Sequence, residues 1–138
     1  MDQRVVRRPS VSVALVVVAL TSCVHEIPPP VTVPVPPAAS SEELRWVIEA
    51  ALAAHNWKVL DRAPGSISAY VHSQGSGDEA TIEITYRPGI IGVRCVKENV
   101  SQQRYDRWIH LLSTEIQKNA ALLGARRPTE PSPPSSAP

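Results

Sequence analysis

Residues 66–96, SISAYVHSQGSGDEATIEITYRPGIIGVRCV, decide the fold of this chain. Ile67, Ala69 and Val71 alternate with Ser68, Tyr70 and His72. After a glycine-containing loop at 73–78, Ala80, Ile82, Ile84 and Tyr86 alternate with Thr81, Glu83 and Thr85. Pro88-Gly89 then turns the chain into Ile91, Val93 and Cys95, set against Gly92, Arg94 and Val96. A side-chain period of two marks strands with one face in a core and the other in water. Connections this short join antiparallel neighbours. A fourth strand, 57–61, precedes these three and reaches them through a turn at Pro64-Gly65.

On both sides of this block the period changes to 3.6. Upstream, Ser40 is an N-cap and Glu43 completes a capping box, after which Leu44, Val47, Ile48, Ala51 and Leu52 share one helix face. Asn56 is expected to end that helix in a left-handed cap. Downstream, a helix over about 102–123 carries Tyr105, Trp108, Ile109, Leu112 and Ile116 as its buried stripe, with Gly124 as its stop. The order α-β-β-β-β-α predicts an α+β fold: a two-layer sandwich of a four-stranded antiparallel meander with N- and C-terminal helices packed on one face. The other sheet face then meets solvent and displays Tyr70, His72, Thr81, Glu83, Thr85 and Arg94.

This unit, 40–124, leaves three segments outside it. The stretch 125–138, with Pro128, Pro131, Pro133 and Pro134 among Ser and Ala, has too little apolar content to offset ordering entropy and is expected to be a disordered tail. At 24–39, Pro28, Pro29, Pro30, Pro34, Pro36 and Pro37 alternate with Val and Thr, which predicts a polyproline II stalk. At about 3.1 Å per residue such a stalk would reach up to about 50 Å.

Ahead of the stalk, Arg4, Arg7 and Arg8 form a positive region followed by an apolar run over 11–20, too short for the roughly 20 residues of a membrane-spanning helix. That pattern predicts a removable export signal at 1–22. Leu20-Thr21-Ser22-Cys23 resembles the lipobox of bacterial lipoproteins. The resemblance implies cleavage before Cys23, diacylglycerol on its sulfur and, in many Gram-negative species, a third acyl chain on the new amino group. Two or more chains give stable anchoring. Val24 stands where enterobacterial lipoproteins kept at the inner membrane carry aspartate, so the expected address is the outer membrane, facing the periplasm.

The body adds a second resemblance. The helix ending in His55-Asn56-Trp57, the strands 67–71 and 82–86, and Tyr105-Asp106-Arg107-Trp108-Ile109 are similar, in that order, to a family of small proteobacterial lipoproteins with an α-β-β-β-β-α body. Cys95 stands where that family often has serine. A fainter similarity is to accessory lipoproteins of outer-membrane β-barrel assembly.

The 138 residues carry 14 Lys and Arg against 13 Asp and Glu, so no basic field recruits nucleic acid. His25, His55, His72 and His110 share no paired ligand spacing, so neither metal nor cofactor is expected. Ser101 and Ser113 lie in no nucleophile-elbow context, and Glu42 with Glu43 belongs to a helix cap, so no catalytic residue is assigned. With Cys23 acylated, Cys95 has no disulfide partner and reads as a small buried hydrophobe. Trp46 points away from the Leu44–Ile48 stripe, on the outer helix face with Ala50 and Ala53. The expectation is a non-catalytic, membrane-anchored envelope module that binds or scaffolds other envelope proteins through Trp46, Tyr70, His72, Glu83 and Arg94. The alternative is a small-ligand, lipid or peptidoglycan glycan-binding module using the open sheet face.

Overall fold

At Ser40 the local signal and the geometry agree: the hydroxyl accepts the Glu43 amide at 3.1 Å, and helix α1 follows over Ser41–Ala54. The computed structural model describes residues 26–126. Asn56 takes the left-handed conformation, φ 60°. The Trp57 amide donates to the Leu52 carbonyl at 2.9 Å and the Asn56 amide to the Ala53 carbonyl at 3.3 Å. Those two bonds make a Schellman cap, which closes the helix and turns the chain back along it. Trp57 enters the core there, 5% exposed.

Five strands form one sheet: β1 (Val31–Pro34), β2 (Lys58–Ala63), β3 (Ser66–His72), β4 (Glu79–Arg87) and β5 (Ile90–Asn99). Their order is β1-β5-β4-β3-β2, with every neighbouring pair antiparallel. The α+β class and the β2-to-β5 meander agree with the alternation in the sequence. The strand count does not, because the expected four-stranded sheet gains β1 from the middle of the expected stalk.

Val31–Pro34 pairs with β5 in the register Val31↔Val93 to Pro34↔Ile90, and the Val35 amide donates to the Gly89 carbonyl at 3.1 Å. Val33, Val35 and Ala39 are buried, and Pro28 is buried ahead of them. The stalk reading of 23–39 therefore fails from residue 28 onward, and the folded body begins before residue 40. Proline permits this on an edge strand, where the missing amide faces away from the ladder.

Inward-facing Ile67, Ala69, Val71, Ala80, Ile82, Ile84, Tyr86, Ile91, Val93 and Cys95 pack with Leu44, Val47, Ile48, Ala51 and Leu52 of α1 in one core. Helix α2 runs over Gln102–Arg126. It adds Tyr105, Ile109, Leu112, Ile116 and Ala120 to that core. Two expectations for it change. Trp108 is only half-buried, lying edge-on to Trp57 with ring centroids 6.4 Å apart. Gly124 lacks the positive φ of a left-handed cap, and the helix continues past it. The two helices pack against each other, α1 over β4 and β2 and α2 over β1. The export signal and Cys23 lie outside the described residues, as does 127–138 of the expected tail.

Candidate functional site

The open sheet face is built by the residues that alternate out of the core. His72 ends β3 opposite Glu79, the first residue of β4. Tyr70, two residues earlier on β3, shares that face. The Tyr70 hydroxyl donates to Glu79 Oε2 at 2.9 Å, and His72 Nδ1 lies 4.0 Å from the same oxygen. The Tyr70 and His72 rings stack, 6.5 Å between centroids and 11° from parallel. The bond to the Glu79 carboxylate holds the Tyr70 phenol above its ordinary value, since losing the proton would set two anions together. Glu79 completes this group and was not singled out by the sequence.

Next on the same face, Glu83 and Arg94 are cross-strand partners, with Arg94 Nη2 donating to Glu83 Oε2 at 3.1 Å. They neutralise each other as an exposed ladder pair. Tyr70 and His72 also help to line a cleft of about 510 Å³, together with His55, Lys58, Gln74 and Trp108. That cleft wraps the end of the sheet where α1 stops and β2 starts. His55, partly buried beside it, has Nε2 3.9 Å from Glu115 Oε2 of α2. The adjacent 73–78 loop is closed by the Ser73 amide donating to the Asp78 carbonyl at 2.7 Å. Arg104, in the first turn of α2, fastens the loop by pairing with Asp78 and donating to Ser76 Oγ at 3.2 Å.

Trp46 is not part of this group. It is 52% exposed and borders a separate cleft of about 470 Å³ with Glu42, Arg45, Glu49, Leu123 and Arg126. Because α1 and α2 run antiparallel, that cleft sits where α1 begins and α2 ends. The residues expected to bind a partner therefore divide between the two ends of the body.

Cys95 is 4% exposed. Burial pushes its thiol up, against a smaller opposite effect of the Tyr105 hydroxyl. The Tyr105 phenol is pushed up as well, first by burial and then by Cys95 beside it. An inert thiol at this site agrees with a small core hydrophobe. Among the described residues no three His, Cys, Asp or Glu side chains gather as a metal site would require. Among them, no helix is long and apolar enough to cross a membrane.

No family model matches the chain. Nor does any curated protein. Among solved structures, the vertebrate conserved region of human METTL16 superposes with a TM-score of 0.46 at 11% identity, over 68% of this chain and 99% of that chain.

Proposed function

We propose that this chain is a lipid-anchored envelope protein, held by an acylated Cys23 at the outer membrane and facing the periplasm, whose body is a non-catalytic module that binds or scaffolds other envelope proteins. Its likeness to the small proteobacterial lipoproteins belongs to the same proposal. The observation that carries the binding role is Trp46: a large aromatic half in water, beside Leu123, inside a rim of charged side chains. Interface anchors have that make-up, an aromatic at the centre and charges kept to the edge. A photo-crosslinking residue placed at position 46 in living cells tests the proposal. Discrete adducts with envelope proteins are expected from 46 and not from 60, where Leu60 is equally exposed on the β2 edge. The same adduct pattern from both positions refutes it.

The second reading is a small-ligand, lipid or glycan module. It is favoured by the cleft in which Trp108, Tyr70 and His72 offer aromatic surface among amide and imidazole groups. Soluble peptidoglycan fragments should then raise the melting temperature of the protein but not of a Tyr70→Ala variant. No shift in either protein removes this reading.

A further inference from the structure

Strand β1 changes how far the body can stand from its anchor. Pro28 is already buried, and Pro29 and Val31 line a cavity of about 250 Å³ with Tyr105, Ile109 and Ser113 of α2. The chain is thus fixed to the body well before residue 40. From Cys23 to the buried Pro28 five residues span at most about 18 Å, at about 3.3–3.6 Å each. A fully extended stalk through residue 39 would have allowed about 50 Å. Because β1 runs antiparallel to β5, its upstream residues head toward the end where β5 finishes and α2 begins. At that entry Ile27 is 62% exposed and Val31 37%.

We propose, resting on the acylated Cys23 of the reading above, that this end of the body lies on the lipid surface, with Ile27 and Val31 as its apolar contacts. The occupant is the bilayer itself, because the anchor leaves too little chain for anything thicker between them. Charge does not drive the contact: Lys58, Lys97 and Arg107 at this end are balanced by Glu79, Glu98 and Asp106, and Arg104 is paired with Asp78. The Trp46 cleft, beside Leu123, then stands about 30 Å further out, at about 1.5 Å per residue along α2. The Tyr70–His72 cleft opens close to the headgroups.

The test uses the mature full chain on vesicles of phosphatidylethanolamine and phosphatidylglycerol, with the Cys23→Ser chain mixed with the same vesicles as reference. A water-soluble amine acetylating reagent is followed residue by residue by mass spectrometry. Lys58 and Lys97, at the anchored end, should react several-fold more slowly than in the reference, while Lys118, far along α2, reacts at the same rate. The protection should persist in high salt and be lost in Ile27→Asp, a change at an exposed site outside the core. Equal rates at all three lysines in an acylated, vesicle-bound chain overturn the orientation and leave the anchor standing. An N-terminal peptide without acyl mass, from a chain that stays off the vesicles, overturns the anchor and the orientation together.

Discussion

Two isosteric swaps in β1 test whether that segment is part of the core. Val33 is 1% exposed, opposite Ile91. Thr32 lies on the other face opposite Gly92, in contact with water. Val33→Thr keeps the shape and buries a hydroxyl among aliphatic side chains. A polar group buried without a partner costs about 1–3 kcal/mol in proteins, so about 2 kcal/mol is expected here. For a domain of this size that lowers the melting temperature by about 8–16 °C, and the urea midpoint by about 1–2 M. Thr32→Val makes the opposite exchange in solvent and should stay within about 0.5 kcal/mol of wild type. Urea and thermal melts followed by circular dichroism measure both. A free stalk requires both swaps to be silent, and a one-residue register slip requires them to trade places. Either result refutes the placement of β1.

The tryptophans should separate by burial: Trp57→Ala should cost about 3–5 kcal/mol, Trp108→Ala less, and Trp46→Ala under about 1 kcal/mol, by urea denaturation. A double-mutant cycle on Trp57 and Trp108 should return a coupling of about 0.5–1.5 kcal/mol for their edge-on contact. At the helix cap, Asn56→Gly should be neutral or stabilising and Asn56→Val should lose about 1–2 kcal/mol, because φ 60° strains a β-branched residue. In alkali, Tyr105 and Cys95 hold their protons more tightly folded than unfolded. Their contribution is therefore complete below the unfolded-chain values, about 8.5 for a thiol and 10 for a phenol. It is lost as pH rises past them. Tyr105→Phe should flatten that alkaline decline in a pH series of melts. Cys23→Ser should leave the body's melting curve unchanged and abolish function in cells, whereas full complementation by that soluble form argues against a role for tethering.

The legible part of the fold was the part with local cause. Ser40, Asn56 and the alternation in 66–96 each act through neighbours a few residues away, and each appears where expected. Strand β1 was legible only in half: Val31, Val33 and Val35 keep a period of two, yet the prolines around them spell polyproline II just as well. What settles the matter is the open edge of β5, about 60 residues away in sequence, which no local pattern displays. Trp57 and Trp108 show the same limit. A helix stripe assigns Trp108 to the core, but its place at the stripe's margin leaves it half out, while the Schellman turn carries Trp57 fully in. Gly124 carries a stop signal that the helix overrides at a cost of about 1 kcal/mol relative to alanine.

For the candidate site, alternation alone put Tyr70, His72, Glu83 and Arg94 on one face, since facing is a local property of a strand. Glu79 was out of reach because its place opposite His72 depends on the length and closure of the 73–78 loop. The separation of Trp46 from that group depends in turn on how α1 and α2 run past each other. That separation bears on function more than any single residue does. If one partner had to engage Trp46 and the Tyr70–His72 pair together, it would have to span the length of the body. Two independent sites need no such reach. A Tyr70→Ala change should then leave crosslinking from position 46 intact, and a joint loss would show that the two ends serve one partner.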